Sequence, residues 1–527
     1  MDFKDFYSKI RVYYSSNANE YDRFKVASTS RKKLGIILKS GIMRDALSEI
    51  EGNLLSLNYV SNDNEESINI FNPREAEENR LVQELISNPK CSKDYPFISK
   101  KVDIKFSKKK GRHLVAKERI FTGEVVIAER PYVTILYDDF AANHCQSCFI
   151  KFSPEQSLFM RECKRCRQVK YCSEVCMTSN ERLHTLECGY TNLLQSKSIG
   201  RMALLVYRTL IKTGFEQVLS TSKNEERSPK YDAKDFTSVF EQISHEDVRD
   251  PGEIFKRLCV AIFITNALRC KSFYPISLVQ SCIGPAFFEQ PDIIEFILTT
   301  LRLLQSNSCN AYEVNELNIY QSTCSTENSE LGGAIYTTIS LSNHSCVPNT
   351  TRNSHSNLGI LRAATIISPG DEITDNYGHY YLIKDRSVRS PDLKKQYFFD
   401  CNCRACREDW PTFAQIRSLK METEFTCSGC KAILPTNIGL AGKCQRCKKG
   451  YNLHKLKKKL ESFDGDVGST IRDLLVLRQN VEPILTYFQT LLNEMENQVR
   501  HPDSKYILCQ QVISQCYGIK GNCYFKA

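Results

Sequence analysis

Apolar positions along the chain fall at helical spacing first, then in short runs, then at helical spacing again. Residues 1–60 read as helical, and Ala46-Leu-Ser-Glu-Ile50-Glu-Gly-Asn-Leu-Leu55 has the spacing of an amphipathic helix. The expectation there is an amphipathic helix pair docked on the body. Residues 61–95 are polar and acidic and read as a linker or a solvated helix. From 102 to 135 the pattern changes to short strands. These are Leu114-Val-Ala116, Glu124-Val-Val-Ile-Ala128 and Tyr132-Val-Thr-Ile-Leu136, punctuated by Gly111 and Thr122-Gly123. Residues 195–310 return to helix, at 201–219, 253–268 and Asp292 to Leu304, with a polar insert at 221–250 expected as a mobile loop. After 452 the chain is helical again, with amphipathic spacing over 468–498 and 505–517.

A chain of 527 residues exceeds what one core usually supports, so two to four units are expected. Hydrophobic residues at 41% and charged residues at 25% are ordinary for a soluble globular protein. The net charge of +10 suits an acidic partner or nucleic acid, thinly spread over this length. No apolar run is long enough to cross a bilayer, and Met1-Asp-Phe-Lys-Asp-Phe6 shows no secretory signal. The expected location is nucleus and cytoplasm, with no membrane partner. There thiols stay reduced, and 24 cysteines in tight pairs point to metal rather than disulfides.

The cysteines carry the strongest local signals. Cys145, Cys148, Cys163, Cys166, Cys172, Cys176, His184 and Cys188 supply eight soft ligands, enough for two tetrahedral zinc sites. Zinc there either folds a segment too small to fold alone or presents a peptide- or nucleic-acid-contacting patch with Arg161, Lys164, Arg165, Arg167 and Lys170. Cys346, Cys401, Cys403 and Cys406 supply thiolates for a third zinc, whose purpose would be to pin the aromatic segment 397–399 against Asn343-His344. Cys427, Cys430, Cys444 and Cys447 have zinc-ribbon spacing and predict a fourth, the other reading being four free thiols on adjacent turns. Cys509, Cys516 and Cys523, seven residues apart, are expected to pack in the core from one helical face.

Three separated stretches read together: Ser340-Leu-Ser-Asn343-His344-Ser-Cys346-Val-Pro-Asn349, Pro369-Gly-Asp-Glu372-Ile-Thr-Asp-Asn-Tyr377-Gly378, and Tyr397-Phe398-Phe399-Asp400-Cys401-Asn-Cys403-Arg-Ala-Cys406. In that order they resemble the SET domain of lysine methyltransferases. With the cysteine cluster at 145–188 inside the same domain, the chain resembles the SET-and-MYND-domain family. Tyr397–Cys406, Cys309-Asn310-Ala311 and Lys110-Gly-Arg-His-Leu-Val-Ala116 make it most similar to the fourth vertebrate type and its insect relatives. The resemblance covers roughly residues 100–460.

That resemblance implies an α+β fold: a SET-type set of short strands split by a MYND zinc module and a helical insert, followed by a post-SET zinc site, a zinc-ribbon-like segment and C-terminal α-helices. The implied segments are 1–95 (helical extension, a tetratricopeptide remnant in the related subtype), 100–144 (first SET part), 145–188 (MYND), 190–310 (helical insert), 311–390 (catalytic core), 391–410 (post-SET), 425–450 (ribbon) and 451–527 (truncated tetratricopeptide-like helices). In the family the MYND sites interleave, which pairs Cys145, Cys148, Cys172 and Cys176 on one zinc and Cys163, Cys166, His184 and Cys188 on the other.

The resemblance also implies S-adenosylmethionine as cofactor and a protein lysine as substrate, on histone or non-histone proteins. Methyl transfer to an amine is an in-line displacement that needs a rigid cofactor, a neutral amine and relief from water. Lysine titrates near 10.4 in water, so a narrow apolar channel or the nearby sulfonium charge must favour its neutral form. Carried over position by position, Lys110, Gly111, Arg112, Asn310, Asn343, His344, Tyr377 and Phe399 bind the cofactor, Tyr377 is catalytic, and Tyr397 walls the lysine channel. Asn310 has a turn role as its other reading. Gly111-Arg112-His113 stands where the family usually has Gly-x-Gly. The rival function is a SET scaffold with weak or no catalysis, serving as an adaptor or corepressor through its zinc modules. Corepressor or chaperone partners, and DNA contact through the basic MYND face, complete the expected partners.

Overall fold

The computed structural model describes residues 2–58, 95, 97–153, 160–224, 235–280, 284–419, 422–435, 439–477 and 480–526. The acidic stretch 61–95 lies outside the described residues except for Tyr95, as does most of the central part of the insert at 221–250. The chain divides into two units, each assembled from separated pieces: Met1–Ala76, Pro131–Glu313 and Leu331–Thr337 in one, and Glu77–Arg130, Val314–Glu330 and Thr338–Ala527 in the other.

The first unit opens with four helices rather than a pair: Phe3–Ser16, Ala18–Val26, Ser30–Lys39 and Gly41–Ser56. Caps set two of the boundaries. Asp2 and Asp5 form a capping box, and the Thr29 hydroxyl accepts the Lys32 N–H. Their buried aromatics interlock with a long helix, Pro251–Cys270, where Phe3 meets Phe263 edge-on at 5.4 Å and Phe24 meets Phe255 at 5.1 Å. Asp250 caps that helix and Pro251 sits at its first turn. The helical stretch expected at 201–219 is two helices, Met202–Thr213 and Phe215–Lys223, because Gly214 takes φ +85° between them. The helix expected over 292–304 runs further, Pro291–Asn310.

Also in this unit, Val133–Leu136 pairs antiparallel with Gly332–Ile335. Gly332 is required there, since a Cβ would sit 1.9 Å from the Ile135 carbonyl oxygen. The 145–188 module carries the short strands Arg161–Glu162 and Lys170–Tyr171 and the helix Glu174–Glu187. Arg208 holds the end of that helix by a fully buried, two-pronged pair with Glu187, at 2.6 and 2.9 Å.

The second unit is built from short strands. Val102–Ser107 and Gly111–Ala116 form an antiparallel hairpin. Val125–Glu129, Leu358–Ala363 and Thr350–His355 make a three-stranded antiparallel sheet. Asn343–His344 runs parallel to Thr374–Asp375. A strand not anticipated from sequence, Cys523–Lys526, pairs parallel with Leu317–Tyr320. The helices Arg386–Tyr397, His454–Glu461, Phe463–Leu475, Val481–Glu496 and Ser504–Ile519 complete it. Cys509 and Cys516 lie fully buried on the last helix, as core packing requires, while Cys523 is in the strand beyond it and off that helical face. Among the described residues, no helix is long and apolar enough to cross a membrane.

Candidate active site

The parallel pairing of Asn343–His344 with Thr374–Asp375 brings two of the three separated stretches side by side. Asn349 reinforces the pairing. Its Nδ2 donates to the Glu372 carbonyl at 2.8 Å, and its Oδ1 accepts the Thr374 N–H at 2.8 Å. Asn343 Nδ2 donates to Glu372 Oε1 at 2.9 Å and to the Lys110 carbonyl at 3.2 Å, and Lys110 Nζ pairs with Glu372 Oε2 at 2.6 Å. Glu372 therefore ties the tip of the 102–116 hairpin to the Asn343 loop. Gly111 takes φ +66° at the start of its strand, where nothing crowds a Cβ, and Arg112 is half-buried opposite Phe106.

The His344 ring has both nitrogens engaged. Nδ1 accepts the Tyr377 backbone N–H at 3.1 Å, so the proton is on Nε2, 3.3 Å from Cys346 Sγ. Burial drives its pKa down to about 4, which keeps the ring neutral. Tyr377 donates its hydroxyl to the Ser342 carbonyl at 2.9 Å. Its ring lies 5.1 Å from His344 and 5.0 Å from Tyr397, and Phe399 is 5.8 Å from His344. The Tyr397 hydroxyl donates to the Tyr377 carbonyl at 3.2 Å. Beside them, burial raises the Asp375 carboxyl, with Arg352 pulling it back from 3.6 Å.

Cys346 and the cysteines that follow the aromatic segment close this arrangement. The sulfurs of Cys346, Cys401, Cys403 and Cys406 all lie within 4.8 Å of one another, with Cys346 3.6 Å from Cys406 and 3.9 Å from Cys401. Zn–S bonds of about 2.3 Å in a tetrahedron put sulfurs about 3.8 Å apart, so the four fit zinc. His344 N–H···S is then a support behind the metal ligands.

The SET domain family model matches residues 111–378, just over half of the chain. The chain belongs to the SET-domain family. Its relatives include protein-lysine N-methyltransferase SMYD4 of Mus musculus, 24% identical over 475 residues, which are 74% of this chain and 57% of the relative. N-lysine methyltransferase SMYD2 of Mus musculus is 27% identical over 299 residues, 56% of this chain and 58% of the relative. Histone-lysine N-methyltransferase ASHR1 of Arabidopsis thaliana is 24% identical over 350 residues, 64% and 62% of the two chains. The chain spans less than two thirds of the length of these curated relatives.

Three further clusters fit zinc. Cys145, Cys148, Cys172 and Cys176 form one, with sulfurs 3.6 Å (Cys148–Cys172) and 3.5 Å (Cys172–Cys176) apart. Cys163, Cys166, His184 and Cys188 form another, with Cys163 3.9 Å from Cys188 and His184 Nε2 3.6 Å from Cys166. These are the interleaved pairings expected from the resemblance. Cys427, Cys430, Cys444 and Cys447 form the last, in two matching knuckles. Cys427 N–H donates to the Ala432 carbonyl and Cys444 N–H to that of Lys449, both at 2.8 Å. Free thiols on adjacent turns would not converge this way.

Asn310 belongs to the other unit. It is the last residue of Pro291–Asn310, and its amide donates to the carbonyls of Ser306 at 2.8 Å and Ile243 at 3.0 Å. It is a helix end rather than a turn residue.

Two SET-core residues escaped the sequence reading. Glu129 is 1% exposed, and its carboxylate accepts the Thr338 N–H at 2.9 Å and the Ile339 N–H at 2.9 Å. It fixes the turn Ile339–Leu341 that leads to Ser342 and Asn343. A lone acid ending the apolar run Val125–Ala128 was its signal. Arg389 is fully buried, with Nη2 3.7 Å from Cys406 Sγ. Burial works against its charge, but the Cys406 and Cys346 sulfurs outweigh it and the net shift is upward. With zinc bound it would offset the negative charge that four thiolates leave on the centre. Nothing in the local sequence announces it.

Proposed function

We propose that this chain is an S-adenosylmethionine-dependent protein-lysine N-methyltransferase acting on histone or non-histone proteins, in the nucleus and cytoplasm. The observation that carries the reading is the convergence of Asn343, His344, Tyr377, Tyr397 and Phe399, from three sequence-distant stretches, around one strand pairing and one zinc-fitting cluster. The names of the relatives agree with it.

When bound, the cofactor supplies a methyl group on a sulfonium. The chain's own residues do the rest. Lys110 suits the carboxylate of the cofactor's amino-acid end. Asn343, its Nδ2 held by Glu372 and Lys110, offers Oδ1 to the ammonium. Phe399 and the His344 backbone serve the adenine, with Gly111 and Arg112 lining the approach. Tyr377 has its proton directed to the Ser342 carbonyl, so it presents oxygen lone pairs to an incoming amine. That makes it an orienting acceptor rather than an acid. Tyr397 and Tyr377 together provide an aromatic wall for the lysine stem, which favours the neutral amine and tolerates the cation as it forms. The 145–188 module is proposed to be a MYND-type finger that engages partner proteins of the corepressor or chaperone kind.

The test is calorimetric titration of zinc-replete protein with S-adenosylmethionine. Micromolar binding, lost in Asn343→Ala, is the expected result. Tyr377→Phe should keep binding and lose methyl transfer to an accepted protein substrate. Absence of binding on folded protein of confirmed zinc content would refute the reading.

A further inference from the structure

From Phe425 to Leu460 the sequence contains nine lysines and arginines and no aspartate or glutamate. Two of the nine are anchored. Lys459 pairs with Glu494 at 2.8 Å, and Lys431 reaches Asn497 Oδ1 at 3.1 Å. Both contacts fasten the segment to the end of helix Val481–Glu496. The other seven are exposed and engage no acceptor among the described residues. Lys443, Arg446, Lys448 and Lys449 lie on the hairpin Ala441–Lys443/Gly450–Asn452 and its knuckle. Lys455, Lys457 and Lys458 lie on the helix that follows, His454–Glu461.

A charge run is usually a solvated face, so a second observation matters. The residue after the last cysteine of each knuckle is a lysine in the left-handed region, Lys431 at φ +58° and Lys448 at φ +62°. Glycine would hold that conformation without the penalty of roughly 1 kcal/mol that a side chain brings. Lys431 uses its position to fasten the ribbon. Lys448 N–H donates to the Cys444 carbonyl at 2.9 Å, and Phe149 and Arg167 take the same conformation after Cys148 and Cys166, so the knuckle sets the backbone and holds the exposed Lys448 cation at a fixed place on it. Lys449 is also placed, because its stem lies over Gly429 of the opposite knuckle, 3.0 Å from where a Cβ would stand.

The chemistry of the surface selects its occupant. Seven exposed cations with no acid among them fit phosphates. No aromatic platform is offered for unstacked bases, since Tyr451 is half-buried across Gly442. The 145–188 module, by contrast, interleaves acids with its bases, and Arg161 there is paired with Glu174 at 3.4 Å. We infer that the ribbon hairpin and helix His454–Glu461 form a docking surface for the backbone of duplex DNA. This surface does not depend on the methyl-transfer reading.

The test is fluorescence anisotropy of the 527-residue, zinc-loaded chain with a labelled mixed-sequence DNA duplex across a salt series. Binding should weaken steeply with salt. Arg446→Ala/Lys448→Ala/Lys449→Ala should weaken it by about ten-fold or more and flatten the log–log slope by about 2 to 3. Lys448→Gly should weaken binding by about three-fold while thermal stability holds or rises. Where the triple variant loses zinc, that single variant gives the reading. A flat salt response, unchanged binding in these variants, tighter binding to duplex RNA or to anionic vesicles, or loss of binding only with Arg165→Ala/Arg167→Ala, would each overturn the inference.

Discussion

Two four-cysteine clusters in the same unit, Cys346/Cys401/Cys403/Cys406 and Cys427/Cys430/Cys444/Cys447, hold their sulfurs alike, with separations of 3.6–3.9 Å in one and 3.5–3.6 Å in the other. Their spans differ. The first joins positions up to 60 residues apart, and the second joins positions up to 20 apart. Closure entropy grows only with the logarithm of loop length, so the difference in span is worth about 1 kcal/mol. What separates them is what each closes. The first brings Tyr397 and Phe399 against His344 and Tyr377 and has a buried arginine behind it. The second folds its own hairpin and leaves its cations outward. Metal at one site would organise the loop proposed to hold cofactor, and metal at the other would organise a surface.

The strongest way to break this contrast is to remove one thiol from each cluster. Cys406→Ser is expected to lose one zinc and all measurable S-adenosylmethionine binding. Cys447→Ser should lose one zinc and keep cofactor binding within about two-fold. Metal analysis with calorimetry reads both, and equal losses of cofactor binding would erase the distinction.

Glu129→Ala tests a tie of the same long-range kind made without metal. It leaves buried N–H groups without an acceptor, and chemical denaturation should show a loss of about 3 kcal/mol, with Glu129→Gln recovering part of it. Arg389→Leu should lower zinc affinity at the first cluster by about 10- to 100-fold, measured by chelator competition, and leave the ribbon's zinc untouched.

The smallest effect concerns His501, which follows Val499, the bridge partner of ribbon residue Phe425, and stacks on Trp410 at 6.4 Å. Burial, then Arg404 and Lys431, push its pKa down to about 4, below the unfolded value of about 6.5. Between those values the unfolded chain takes up a proton that the folded chain refuses. Its stabilising contribution is complete above pH 6.5 and is lost as pH falls through that window. Unfolding followed by the fluorescence of the single tryptophan should show a steeper decline from pH 7 to 5 in the native chain than in His501→Phe.

The zinc-fitting residues were legible where short cysteine spacings mark a cluster, while Cys346, 55 residues from Cys401, was legible only through the order of stretches that carries the resemblance. The Asn343, Tyr377 and Tyr397 stretches were legible because their residue types follow one another in a recognisable order. Glu129 and Arg389 were not. The partners of Glu129 are backbone N–H groups 209 and 210 residues away, and Arg389 answers thiolates assembled from two stretches. Backbone groups carry no residue type, so no spacing points to them. The strand Cys523–Lys526 was hidden for a similar reason. Four residues are too few for an alternation, and its partner Leu317–Tyr320 is some two hundred positions earlier. At the start of the chain the helical reading held but the count did not, since Asn17, Thr29 and Ser40 divide one apolar pattern into four helices.

The His344 ring, with one nitrogen on Cys346 Sγ and the other on the Tyr377 N–H, has a practical consequence for preparing the protein. It predicts that the proposed cofactor site forms only once Cys346 is held by metal. Most of the helices lie outside the segments that this ring joins, so a zinc-starved sample would give a helical far-ultraviolet spectrum and still be blind to cofactor. Metal stoichiometry at the cluster of Cys346, rather than helix content, is the criterion by which a batch is judged competent.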